Sequence, residues 1–407
     1  MNNLRGYMRS SLQATKKVMH LPNVAARKPS ERRAPNAPVP NALSRISVSQ
    51  LLPRHNKQVE VPRMTHEPQP FILPQYFREG APLPLTIPKH FTMQEESVKF
   101  DPERHLNICK EIAVSRSHGS VYTKPFRLLS EEGVEVLRRI IEANEEHAKQ
   151  MVRSPKCLRG LGYRSQFVRD LSTYRPLLDL LSSLAGEPIS LHAHGMNIGH
   201  TNFGEVGGAA AEKWHVDSVD YVLIVMLSDP VGMQGGDLQL YLPQAAADAH
   251  SSWDQLSGGT ARKEDVRSLQ FPSAGYATFV QGSKIFHTVS PLLAAKGPRI
   301  TLVNSFTSNN VFKPDSTRFS SYKDTFLDPP DVVDIEFSRH RAARAIGQLE
   351  HLLNASWDTP AVELASVLQL AGQELLMTSR LLRGEEKDML SCNSAEQKRI
   401  GGDVKAG

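Results

Sequence analysis

His215 and Asp217 are separated by one residue in the run Trp214-His215-Val216-Asp217. Successive side chains of a strand point to opposite faces, so these two face the same way and can grip one ion while Val216 points elsewhere. His287, in the run Phe286-His287, offers a third ligand from a separate predicted strand. Two histidines and one carboxylate leave three coordination positions open on a non-haem Fe(II), and open positions are what oxygen chemistry requires. A closed structural zinc site calls for a fourth protein ligand, and none is evident. Burying a carboxylate unpaired on an apolar barrel face is costly, which favours ligation for Asp217 over simple packing.

Arg299 lies twelve residues after His287 and opens the run Arg299-Ile300-Thr301. Alternation places Arg299 and Thr301 on one face of a strand, with Ile300 and Leu302 on the other. A guanidinium holds a carboxylate through two parallel hydrogen bonds, and a hydroxyl two residues along adds a third. The pair therefore reads as an anchor for a dicarboxylate. His192 and His194 form a His-x-His pair with no visible third ligand and are assigned to the core, as are Trp214 and Phe286. Tyr163, Arg164 and Arg169 are candidates for the mouth of a site but carry no substrate assignment.

These residues need strands to hold them. Leu191–His200, Tyr221–Ser228, Asp237–Leu242, Gly275–Val280 and Ile300–Phe306 are short, apolar or β-branched, and bounded by Gly, Pro, Asn or Asp. That spacing predicts an antiparallel two-sheet barrel. Residues 243–272 interrupt it and are too long for a hairpin loop, so they are read as a lid. Before the strands, Ser130 caps a helix whose apolar face is Val134, Leu137, Ile140 and Ile141, and a second helix runs near Arg175–Ala185, with Pro176 at its start and Gly186 at its end. After them, helices are predicted over Phe337–Leu353 and from Thr359, as N-cap, to about Arg383.

The chain has 407 residues, 40% of them hydrophobic, enough for a sizeable core. No apolar run reaches the roughly 18 residues of a membrane-spanning helix. Three widely spaced cysteines, Cys109, Cys157 and Cys392, form neither a disulfide framework nor a CxxC site, which points to a reducing intracellular compartment, the cytoplasm first. Residues 1–60 hold 11 of the 48 Lys/Arg and two of the 43 acids, leaving 37 against 41 beyond them. The folded part is thus mildly acidic, and a nucleic-acid surface is not indicated. Residues 1–60 read as a disordered basic tail, with a mitochondrial-type targeting peptide and a partner-binding arm as alternatives. Residues 61–100 form a proline-rich extended arm, 101–335 the main domain with its core at 188–310, 336–390 the C-terminal helices, and 391–407 a flexible tail.

The ordered set of His-x-Asp, a distal His and a later Arg resembles the Fe(II)- and 2-oxoglutarate-dependent dioxygenase family. The match spans roughly Leu191 to Phe306 and includes the flanking Gly235-Gly236-Asp237-Leu238 turn and Gly282-Ser283. The resemblance implies an α+β fold with a double-stranded β-helix, a jelly-roll or cupin-like core, N-terminal support helices and a C-terminal helical segment. It implies Fe(II) on His215, Asp217 and His287, and 2-oxoglutarate on the iron and Arg299. Thr301, Asn197 and Tyr221 are further candidates for co-substrate contacts. The implied reaction uses O2 to oxidise a substrate C–H bond, releasing succinate and CO2. Retention of Asp217 favours hydroxylation over halogenation, because related halogenases have Gly or Ala there; desaturation and ring closure stay open. A small-molecule substrate is the first expectation, a protein or peptide side chain the second, and a non-catalytic metal-binding sensor or interaction module the third. Oligomeric state is not legible.

Overall fold

The computed structural model describes the backbone of Ser44–Ser47 and residues 87–388, apart from 153, 209–211, 245–248 and 326–327. The described residues belong to one compact unit, Asn41–Gly407. Most of the basic tail with its targeting segment, residues 61–86 of the proline-rich arm, and the end from 389 lie outside the described residues. Within the tail, Ser44–Ser47 (β1) pairs antiparallel with the strand Glu111–Ser117 (β2).

The domain opens where Asp101 caps a single turn, Pro102–His105 (α1), by accepting the Glu103 amide. Ser120–Thr123 (β3) and Phe126–Arg127 (β4) follow β2 and lead into Glu131–Ala143 (α2). Ser130 caps α2 by accepting the Gly133 amide, and Val134, Leu137, Ile140 and Ile141 are buried along it. After Cys157–Leu158 (β5) come Gln166–Thr173 (α3), capped by Ser165, and Arg175–Ala185 (α4), ended by Gly186. These helices bury their apolar faces against the outside of a large sheet in one continuous core that includes Leu137, Phe167, Leu181, Leu223, Phe279 and Leu302.

The remaining strands are Ile189–Leu191 (β6), His200–Gly204 (β7), Glu212–His215 (β8), Tyr221–Met226 (β9), Gln234–Gly235 (β10), Leu238–Tyr241 (β11), Val266–Leu269 (β12), Tyr276–Val280 (β13), His287–Val289 (β14), Leu292–Ala294 (β15) and Arg299–Ser308 (β16). The large sheet runs β1-β2-β3-β13-β9-β16-β7-β5, the small one β12-β11-β14-β8. The two inner quartets, β7-β16-β9-β13 and β8-β14-β11-β12, interleave along the chain, with β11 and β12 as successive strands of the small sheet, the order of a jelly roll. Between them Val222, Ile224, Met226, Leu238, Leu240 and Val280 form a second core. The fold is therefore α+β around a double-stranded β-helix.

Three local features depart from the expected elements. The strand expected over Leu191–His200 is broken: β6 stops at Leu191, residues Gly195–Asn197 make a 3-10 turn, and β7 begins at His200. Gly199, with φ 67°, takes the chain out of the extended path just before β7. The 243–272 insertion holds a helix, Ala249–Ser257 (α5), and then β12, which pairs with β11 as the edge of the small sheet. At the C-terminus, Pro330–Leu353 (α6) starts earlier than expected, and Ala361–Leu382 (α7) has Pro360 rather than Thr359 at its cap. The Thr359 hydroxyl is instead bonded to that of Ser356. Helix α6 packs on the chain's own core through Val333 and Phe337, which meet Phe319 and Tyr322. No described helix is long and apolar enough to cross a membrane.

Candidate metal centre

His215 ends β8 and His287 begins the neighbouring β14, and the two residues are paired across the strands. Their rings lie 4.2 Å apart. Asp217, two residues beyond His215, donates its amide to the Gly282 carbonyl, which ties the turn after β8 to the turn before β14. One ligand atom from each of His215, Asp217 and His287 lies within 4.8 Å of the others. Asp217 Oδ1 is 3.5 Å from His215 Nε2, and Oδ2 is 3.4 Å from His287 Nε2.

The other ring nitrogens fix which atoms face inward. His215 Nδ1 lies 2.6 Å from the Lys213 carbonyl, and His287 Nδ1 lies 2.9 Å from that of Ile285. A carbonyl accepts only, so each Nδ1 carries a proton, and in the neutral ring each Nε2 presents its lone pair on the side of the carboxylate. Such backbone contacts are the usual outer support of a metal-bound histidine. Burial and the adjacent His215 hold the His287 imidazole below its ordinary pKa, keeping it in the neutral form a metal needs.

Strand alternation puts Arg299, Thr301, Val303 and Ser305 on the inner side of β16, since Ile300, Leu302 and Phe306 join the outer core. Arg299 is 1% exposed. Its Nη1 is 3.4 Å from Thr301 Oγ1, while Nε and Nη2 have no hydrogen-bond partner among the described residues. Burial lowers its pKa to about 10, against the opposing pull of Asp237 and Glu212, so it remains cationic at neutral pH. A buried guanidinium with two unused donors fits an anionic guest.

The cavity beside Asp217 and His287 is walled by Asn197, His200, Asn202, Val222, Ser305 and Tyr322. Asn197 is thus at the site, though on a turn rather than a strand. Its Oδ1 accepts from Arg159 Nη2 at 3.0 Å and its Nδ2 donates to the Tyr322 hydroxyl at 3.0 Å. Arg159 is in turn paired with the buried Asp328. Tyr221 is not brought to the site. It stands on the outer face of β9, stacks on Phe279 and gives its hydroxyl proton to Glu187, because Val222, its neighbour, takes the inward position.

His192 and His194 are buried, joined by His340 from α6, whose ring stacks on His192 at 4.7 Å. They lie apart from the triad's mutually close set. Tyr163 and the Gly195 amide both hydrogen-bond Glu336, and Tyr163 is buried in a small core with Met196 and Val332. Arg164 lies over the Phe91 ring, and Arg169 is buried on α3. Glu212, His200, Asn202 and Tyr322 carry no sequence signal of their own: they reach the cavity through a strand irregularity, a neighbouring strand, and a segment more than a hundred residues downstream.

No family model and no curated protein sequence matches the chain. Among solved structures it is similar to AviO1 from Streptomyces viridochromogenes Tue57, at 15% identity over 52% of this chain and 94% of that one, with a TM-score of 0.35. Similarity extends to HygX from Streptomyces hygroscopicus with nickel and 2-oxoglutarate bound, at 13% identity over 46% and 81%, with a TM-score of 0.34. A prolyl-4-hydroxylase from Pseudomonas putida matches at 14% identity over 47% and 93%, with a TM-score of 0.32. The structure thus brings together His215, Asp217 and His287, the residues on which the sequence resemblance rests.

Proposed function

We propose that this protein is an Fe(II)- and 2-oxoglutarate-dependent oxygenase that hydroxylates a C–H bond of a small molecule. The observation that carries the proposal is the convergence of His215, Asp217 and His287, with both Nε2 atoms turned inward, in a jelly roll that also buries Arg299 with two unused donors. Bound there, the metal and the 2-oxo acid would supply O2-dependent oxidation, with succinate and CO2 as co-products.

The chain's own residues have distinct tasks. His215, Asp217 and His287 hold the metal on one side only, which leaves coordination positions for other ligands. Arg299, with Thr301 beside it, binds the far carboxylate of the co-substrate and sets its reach. Asn197, held by Arg159 and in contact with Tyr322, stiffens the cavity wall. That wall favours a small molecule over a peptide, because Asn197, His200, Asn202 and Tyr322 are all buried side chains rather than the floor of an open groove. Helix α5 of the insertion takes the selectivity role: its Trp253 stacks on Phe286, the residue before His287.

Anaerobic addition of Fe(II) and then 2-oxoglutarate tests the proposal. A weak visible charge-transfer band is expected, absent in His215→Ala and diminished in Arg299→Ala. Folded, metal-replete protein with no band would sink the oxygenase assignment. With the band in hand, succinate release from a panel of small molecules and peptides separates the two substrate classes.

A further inference from the structure

Glu212 is the first residue of β8, three positions before His215. On an uninterrupted strand an odd offset puts two side chains on opposite faces. Here the register against β14 shifts: His287 faces His215 while Val289 faces Glu212, so three steps along β8 match two along β14. The extra residue is a β-bulge, a device that re-aims a side chain. Glu212 is thereby turned to the same side as His215.

Its carboxylate comes about as close to the metal-facing atom of His215 as Asp217 does, although it stays outside the mutually close set of His215, Asp217 and His287 and reaches their common centre only by swinging inward. Glu212 Oε2 is 3.6 Å from His215 Nε2, and Asp217 Oδ1 is 3.5 Å from it. Glu212 lines the cavity together with Asp217 and His287, with its side chain 12% exposed. With Asp237, it is also one of two acids whose charge bears on Arg299. A carboxylate that faces both a cation site and the anchor for a dicarboxylate offsets the buried charge of Arg299 while no guest is bound. It opposes a dianionic guest by like charge, and it offers the metal an oxygen donor when that guest is away.

Resting on the oxygenase assignment above, we infer that Glu212 is a displaceable fourth ligand of the metal centre. Its carboxylate takes a coordination position that the triad leaves open, and the incoming dicarboxylate drives it off. The exchange swaps one carboxylate oxygen for another on the metal, with no redox step. Glu212 therefore sets how much dicarboxylate is required before the metal is opened to it.

Co(II) in place of Fe(II), under anaerobic conditions, gives a direct test, since the visible absorption of Co(II) strengthens as its coordination number falls. Wild type, Glu212→Gln, Glu212→Asp and His215→Ala are compared with and without 2-oxoglutarate. Backbone pairing is expected to survive, because it is the Glu212 carbonyl, not its side chain, that accepts the Thr288 hydroxyl; circular dichroism checks this. In Glu212→Gln the co-substrate-free Co(II) spectrum is expected to change, Co(II) to bind more weakly, and 2-oxoglutarate to bind on the order of 10-fold more tightly, the factor expected if Glu212 occupies the metal in about nine molecules of ten. Glu212→Asp should shift the spectrum in the same sense. Unchanged spectra in both variants overturn the inference, and tighter 2-oxoglutarate binding without a spectral change overturns it too, reducing Glu212 to a repelling charge. Co(II) binding that is absent in wild type, or undiminished in His215→Ala, removes the metal assignment itself and Glu212 with it. Binding that depends on His215 but not on Glu212 removes only the inference.

Discussion

Gly282 and Asp217 are fitted to one another: a Cβ at position 282 would stand 2.0 Å from Asp217 Oδ2, while the Gly282 carbonyl accepts the Asp217 amide at 2.9 Å. The obstructed atom is the far end of a side chain, so Gly282→Ala should displace the carboxylate rather than break the turn. Metal affinity is expected to fall roughly 10–100-fold, as when a ligand's support is lost, with the urea midpoint of the metal-free protein little changed. Calorimetric titration with Co(II) measures the first, and equal affinity would refute the role given to Gly282.

Arg299 pays for its position in stability. It is buried, with Nε and Nη2 unbonded among the described residues, and burial depresses its pKa to about 10. Arg299→Met keeps the length of the side chain and removes the buried charge. The metal-free variant is expected to be more stable than wild type by on the order of 1–4 kcal/mol, and to lose 2-oxoglutarate binding. Urea unfolding with and without the ligand checks both; a destabilised variant that still binds would contradict the anchor.

Burial holds the Glu336 carboxyl up at about 8, against a usual value of 4.5. Between those values the folded state keeps a proton that the unfolded chain has lost, so the stability from this group is present below about pH 4.5 and disappears as pH rises toward 8. Tyr163, Gly195, Arg159, Asp328 and His194 surround it. His192 and His194, held well below their usual 6.5 by burial, tilt stability the other way, costing it as pH falls below 6.5. A difference measurement isolates Glu336: the unfolding free energy of Glu336→Gln minus that of wild type should grow by on the order of 2–4 kcal/mol between pH 5 and pH 8. A flat difference would mean that the carboxyl titrates normally.

Tyr221 offers a control residue close to the metal-binding strands in sequence but turned away from the site. Tyr221→Phe removes the hydrogen bond to Glu187 and should cost about 1–2 kcal/mol in stability, leaving 2-oxoglutarate affinity unchanged. Weakened co-substrate binding would return Tyr221 to the site.

Period-two alternation is a local rule, and it pairs Arg299 with Thr301 on β16 before any tertiary contact is known. It also put His215 beside Asp217, yet β8 ends at His215, and it is the following turn, held by the Asp217 amide on the Gly282 carbonyl, that places Asp217. The same rule misleads wherever the strand is irregular. Gly199 breaks the strand expected to carry Asn197, and the bulge in β8 brings Glu212 inward against its parity. Tyr221 is the complementary case, since which face of β9 is inner depends on the sheet packed against it. Tyr322 and Asp328 reach the cavity region through tertiary folding alone, beyond any spacing rule. Helices α2, α4, α6 and α7 were legible from apolar faces and end signals, whereas α1, α3 and α5, of four, eight and nine residues, are too short for a clear period.

The proposed metal ligands and the proposed anchor stand on opposite sheets. His215 and His287 belong to the small sheet, through β8 and β14, and Arg299 to the large one, through β16. A dicarboxylate held at both ends is then a cross-brace between two layers otherwise joined by side-chain packing. If the site is loaded as proposed, the sandwich is expected to stiffen, and amide exchange should slow in β9 and β11, strands that provide neither the triad nor its anchor.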